Sequence, residues 1–199
     1  MKQVLLATTN PGKLDEMRAL VGELPLELVT PDRVGLNLKV LETGSSYAEN
    51  ATLKASHWAQ ASGLWSLADD SGLEVEALGG RPGLYSARLA GEGRTDADRR
   101  AALLAELEGL RRPWIARFVC VMALADPGGP LDLATGICRG QVIPLARGQM
   151  GFGYDPIFLV EGEDKTMAEL PMAHKNRLSH RARAFTNLRP VLVDRLELG

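Results

Sequence analysis

Residues 4–21 read VLLATTNPGKLDEMRALV, and this stretch decides the fold class. Residues 4–8 are a short apolar run of the kind that fills a buried strand. Asn10-Pro11-Gly12 breaks the run, and Leu14, Met17, Leu20 and Val21 then recur on one helical face. Asn10 suits the N-cap, Pro11 the first helical position and Gly22 the helix end. A strand feeding straight into a helix opens an α/β fold. Working outward, residues 26–30 read as a second strand. Ser46-Tyr47-Ala48-Glu49 carries a capping-box pattern that opens a helix running to about Gly63. Residues 64–68 read as a strand feeding a turn at Asp69-Asp70-Ser71-Gly72. Thr95-Asp96-Ala97-Asp98 starts a helix that ends near Gly109, and residues 114–125 form a central strand. Residues 131–137, 139–143 and 156–160 add three more strands, and 179–196 is helical with a break near Pro190. The expectation is a mixed α/β fold in a single domain over 1–199.

Composition narrows the function classes. The chain has 199 residues, 45% of them hydrophobic, which is enough to bury a core without disulfide or metal staples. Twenty-three Lys and Arg against 25 Asp and Glu give a net charge of −2, which argues against a nucleic-acid binder. Cys120 and Cys138 form no C-x-x-C pair, so neither a zinc ribbon nor a disulfide scaffold is indicated. The N-terminal apolar run is too short for a signal peptide, and no stretch reaches the length of a membrane span. A cytoplasmic protein with no membrane partner is the expectation.

Four segments carry chemistry. Thr8-Thr9-Asn10-Pro11-Gly12-Lys13 is a strand–turn–helix junction whose free N–H groups, with Lys13 beside them, favour an anion. It is not a P-loop, and alone it reads first as a capped helix start. Glu42 and the pair Asp69-Asp70 supply hard oxygen ligands suited to Mg²⁺ shared with phosphates. Adjacent strand residues face opposite ways, so one carboxylate reaches a cleft while the other turns away, unless a turn at Ser71-Gly72 relaxes that. An isolated DDSG also reads as a plain Asp-rich turn. In Gly151-Phe152-Gly153-Tyr154-Asp155-Pro156 the ring either stacks on a base, with Asp155 accepting a base N–H, or plugs a core edge. Finally, residues 170–193 hold no acid, while Lys175, Arg177, Arg181, Arg183 and Arg189 are basic. Ser179 as N-cap puts His180 and Arg181 in a first helical turn, against the dipole. An electron-rich ligand resolves that conflict, although a solvated helix face looks similar.

Together the blocks TTNPGK, ETGSSYAENATLKA, ADDSGLEVEALGGRPGLYSAR, GFGYDPIF and KNRLSHRARA resemble, end to end, the inosine triphosphate pyrophosphatase family. The departure is Thr9, where many members carry Gly. The resemblance implies an elongated mixed β-sheet with flanking helices, forming two lobes around a central cleft, in a homodimer. It makes Thr8 through Lys13 the triphosphate-binding loop. Glu42 and Asp69 become metal ligands for Mg²⁺, and Asp70 the general base and a metal ligand. Ser71, Phe152, Gly153, Tyr154, Asp155, Lys175, His180 and Arg181 become nucleotide contacts, with Lys54 and Arg88 as lesser phosphate neutralisers. The implied reaction is water attack at the α-phosphorus of ITP, dITP or XTP, releasing pyrophosphate and a monophosphate. Arginine has only donors, so Arg181, with His180, is expected to pair with O6 of hypoxanthine or xanthine and to confront the adenine amine. The rivals are a pyrophosphatase for modified pyrimidines, a non-catalytic nucleotide sensor and an RNA-binding module. Pyrophosphate release from ITP separates the enzyme from the last two.

Overall fold

The computed structural model describes residues 1–22, 24–38, 40–91 and 93–199. Its strands are β1 (Lys2–Leu6), β2 (Leu26–Val29), β3 (Trp65–Val75), β4 (Trp114–Ala125), β5 (Leu131–Val142) and β6 (Phe158–Val160). Its helices are α1 (Pro11–Val21), α2 (Tyr47–Ser62), α3 (Asp96–Leu107), α4 (Met172–Leu178) and α5 (His180–Arg195). The strands form one six-stranded mixed sheet in the order β2-β1-β3-β4-β5-β6. β1 lies parallel to both β2 and β3, while β5 and β6 are antiparallel. The mixed α/β class read from the sequence is the class observed. No helix among the described residues is long and apolar enough to cross a membrane.

The chain divides into two compact units. The first comprises Met1–Asp70, Cys120–Gly136 and Arg181–Gly199, and its sheet is covered on both faces. Strand alternation sorts the side chains. Val4, Leu6, Leu67, Cys120 and Met122 pack toward Met17 and Val21 of α1 and Ala184 and Leu188 of α5. Leu5, Ala7, Ala68, Val121 and Ala123 pack toward Ala51, Ala55, Trp58 and Ala59 of α2. The second unit, Ser71–Val119 and Ile137–His180, has its own core around Leu73, Leu103, Leu107, Trp114, Phe118, Ile157 and Phe158.

Local signals explain most element ends. The Asn10 side chain accepts from the Lys13 N–H, Ser46 from the Glu49 N–H, and Gly63 closes α2 with φ 70°. The reciprocal half of the α2 box is shifted by one residue, because the Glu49 carboxylate takes the N–H and hydroxyl of Ser45.

Four expectations change. Residues 131–142 form one strand, β5, where two were expected over 131–137 and 139–143. The ladder runs on through the buried Cys138, and Gly140 admits β6, because a Cβ there would meet the Leu159 carbonyl oxygen at 2.2 Å. The strand expected from Pro156 begins only at Phe158, because Asp155–Ile157 makes a 3₁₀ turn. α5 runs unbroken through Pro190, its apolar side buried at Ala184, Phe185, Leu188 and Leu192. Packing of that face outweighs the lost hydrogen bond. Most important for function, β3 does not turn at Ser71-Gly72 but continues to Val75.

Candidate functional site

Because β3 continues, Asp69 and Asp70 point to opposite faces of the sheet, and each meets cations from the helix on its own side. Asp69 shares its face with Leu67 and looks toward α1 and α5. There the Lys13 Nζ lies 2.9 Å from Asp69 Oδ2, and an Arg181 nitrogen lies 3.0 Å from the same oxygen. The other arm of the Arg181 guanidinium pairs with Glu16. Arg181 is 1% exposed. Burial works against ionisation of Asp69, but Lys13, Arg181 and Lys54 outweigh it and hold its carboxyl well below the usual range. Burial likewise opposes the Arg181 charge, and Asp69 and Glu16 restore it. The Cys120 thiol, 3.8 Å from Asp69, is pushed up by burial and by that carboxylate, which leaves it inert.

Asp70 shares its face with Ala68 and looks toward α2. Asn50 and Lys54 stand one helical turn apart there, so both reach the same carboxylate. Lys54 Nζ is 2.9 Å from Asp70 Oδ1 and 2.9 Å from Glu42. The Asn50 amide donates to Asp70 Oδ2 at 3.2 Å, and its oxygen accepts the Gly44 N–H at 2.8 Å. A Cβ on Gly44 would stand 2.7 Å from that amide oxygen, so glycine lets the Glu42-Thr43-Gly44 loop close on α2. Burial raises the Asp70 carboxyl above its usual value; Lys54 offsets part of this and Glu42 adds to it. Two neighbouring carboxylates on one strand therefore titrate in opposite directions.

The Thr8–Lys13 junction opens α1 as a capped helix start. Thr9, Asn10 and Pro11 are exposed, and Lys13 is turned toward Asp69. In the second unit, Asp155 is buried and ion-paired to Lys175 at 2.5 Å, and it also accepts the Phe152 N–H at 3.0 Å. The Lys175 ammonium lies 5.4 Å from the Phe152 ring centroid. Tyr154 is buried as well, donating its hydroxyl to the Ser86 carbonyl at 2.8 Å, so it anchors the loop. His180 is buried and stacks on Phe118 with centroids 4.7 Å apart. Ser71 is half-buried in β3, and Arg88 lies over the Tyr85 ring at 5.5 Å.

Sequence reading passed over Glu16 and Asn50. A signal for Glu16 existed, since a carboxylate beside Met17 on the buried stripe of α1 needs a partner. Asn50 looked like an ordinary first-turn residue.

Hard carboxylate oxygens are the donor type that could hold Mg²⁺. Glu42 and Asp70 already enclose a point positive charge, the Lys54 ammonium, and neither has a soft ligand beside it. Among the described residues no three His, Cys, Asp or Glu side chains converge. Glu42 and Asp70 both face the Lys54 ammonium and could hold such an ion together, while Asp69 faces Lys13 and Arg181.

The sequence profile of the Ham1 family matches residues 4–191. A dITP/XTP pyrophosphatase from Synechocystis sp. is 47% identical over 189 residues, 94% of this chain and 94% of its own length. One from Bacillus subtilis is 42% identical over 193 residues, 96% of this chain and 98% of its own. The solved structure of a HAM1 protein from Coxiella burnetii matches with a TM-score of 0.87 at 40% identity, covering 98% of this chain and 100% of that one.

Proposed function

The chain belongs to the Ham1 family, and from that premise we propose that it hydrolyses non-standard purine nucleoside triphosphates, dITP, XTP and ITP, to the monophosphate and pyrophosphate. The observation that carries this reading is Asp70, a buried carboxylate with a raised pKa, held between Lys54 and Asn50 beside Glu42. A general base works best with its pKa near the operating pH, and burial moves Asp70 in that direction. Its two oxygens have different partners: Oδ1 faces the Lys54 ammonium, while Oδ2 faces a neutral amide and keeps a lone pair for a proton. Asp70 orients a water and takes its proton as the water oxygen bonds to the α-phosphorus. The bond from that phosphorus to the bridging oxygen breaks, and pyrophosphate leaves.

Lys13, at the start of α1, and Lys54 supply positive charge for the phosphates, and the backbone N–H groups of Thr9 and Gly12 at the same junction add donors. Glu42 and Asp70 would hold Mg²⁺. There it would supply positive charge to offset that of the phosphates. Within the second unit, Phe152 offers a stacking face, and Asp155, Lys175 and His180 offer polar recognition of a purine. A cytoplasmic homodimer completes the proposal.

The test is to follow pyrophosphate release from ITP, with ATP as the comparison. We expect monophosphate and pyrophosphate as first products, no turnover after chelation of divalent ions, and recovery on adding Mg²⁺. Because the Asp70 carboxyl ionises above the usual range, its working, ionised form is lost as pH falls through that raised value. Activity is therefore expected to fall toward acid pH. Orthophosphate and a nucleoside diphosphate as first products would overturn attack at the α-phosphorus.

A further inference from the structure

We propose that Asp96 and Arg100 of α3 form a clamp on Gly153 that holds the Phe152 ring in place for base stacking, and so sets purine affinity without touching the nucleotide. The inference rests on the function proposed above. The Gly153 N–H donates to Asp96 at 2.7 Å, and Arg100 donates to the Gly153 carbonyl at 2.7 Å. Phe152 is held in the same manner: its N–H donates to Asp155 at 3.0 Å, and its carbonyl accepts the Asp155 N–H at 3.1 Å. All four backbone polar groups of Phe152 and Gly153 are therefore engaged.

The need for a clamp is visible in the backbone. Gly151 and Gly153 have φ of 77° and 61°, in the left-handed region that glycine enters freely. A loop hinged on two glycines loses much entropy on ordering, and a ring left to wander must be ordered at the expense of binding. Asp96 and Arg100 stand one turn apart on α3, so they present an acceptor and a donor to the two ends of one residue. The Thr95–Asp98 capping box fixes where that turn begins, and Arg99 pairs with Asp96 to hold it. Both residues are positioning residues, acting through Phe152.

A clamp that acts through Phe152 makes a prediction that a merely structural contact does not. Asp96→Ala is expected to raise KM for ITP on the order of tenfold while kcat stays within about twofold, the signature of lost ground-state binding. KM for ATP should rise by the same factor, because stacking does not discriminate between bases. In a Phe152→Ala background, Asp96→Ala should add less than about twofold, because the ring it positions is gone. Asp96→Asn, which keeps an acceptor for the Gly153 N–H, should restore KM to within about threefold of wild type. Arg100→Ala gives a second reading of the same cycle if Asp96→Ala folds poorly. Full additivity with Phe152→Ala, or a fall in kcat at unchanged KM, overturns the clamp. A wild-type protein that hydrolyses ITP with KM unmoved by either variant also overturns the clamp alone. One that hydrolyses no ITP overturns the function proposed above and the clamp with it.

Discussion

Asp70→Asn is expected to lower kcat for ITP about a hundredfold or more, the usual cost of losing a general base. The substitution keeps the shape of the side chain and removes its ability to take a proton. It also disturbs a defined set of hydrogen bonds. Asp70 accepts from Lys54 on one oxygen and from Asn50 on the other. An amide offers one acceptor, so one donor is left facing a second donor. Asn50 cannot relieve this by turning over, because its oxygen holds the Gly44 N–H. The mismatch is expected to lower stability by about 1–3 kcal/mol, which leaves the protein folded. Steady-state kinetics beside thermal unfolding separates the two effects: a large loss of kcat with a modest fall in Tm. Asp69→Asn is the control on the opposite face of the strand. Should Asp69→Asn abolish turnover while Asp70→Asn spares it, the two carboxylates have exchanged roles.

That pair marks the limit of what the sequence discloses. Composition, the strand–turn–helix opening and the cap at Asn10 are local, so residues 2–21 are legible without coordinates. Asp69-Asp70-Ser71-Gly72 looked like a turn because Asp, Ser and Gly favour turns locally. β3 runs through it because apolar side chains on both sides of the segment are buried, Leu67 and Ala68 before it and Leu73 and Val75 after it. The consequence, that each aspartate finds its own cation, follows from alternation once the strand is known to continue. The partners themselves were not legible. Arg181 meets Asp69 across 112 positions and Asn50 meets Asp70 across 20, and nothing in the spacing of either pair announces it.

Arg181→Ala is expected to destabilise the protein by about 3–5 kcal/mol, the cost of leaving buried charge without its partner. The side chain is 1% exposed and bridges Glu16 and Asp69, which are 3% and 6% exposed. Removing it leaves Asp69 with Lys13 and strips Glu16 of a guanidinium in the same buried cluster. Arg181→Lys should recover only part of the loss, because one ammonium cannot span two carboxylates as a planar fork does. The pH dependence carries the same signature. Against burial, Lys13 and Arg181 depress the Asp69 pKa below its unfolded value of 3.8. A depressed carboxylate contributes stability that is complete above the unfolded pKa. That contribution is lost progressively as pH falls below this value toward the folded one. The gap between wild type and Arg181→Ala should therefore be widest near neutrality and narrow below about pH 4, as read by urea unfolding at pH 7 and pH 3. Donor chemistry alone also offered Arg181 as a partner for O6 of the base, and the same variant decides between the roles. With both arms of the guanidinium on carboxylates, the ratio of kcat/KM for ITP over ATP should hold while stability falls. A ratio that collapses in a protein of undiminished stability would move Arg181 from the charge cluster to base selection.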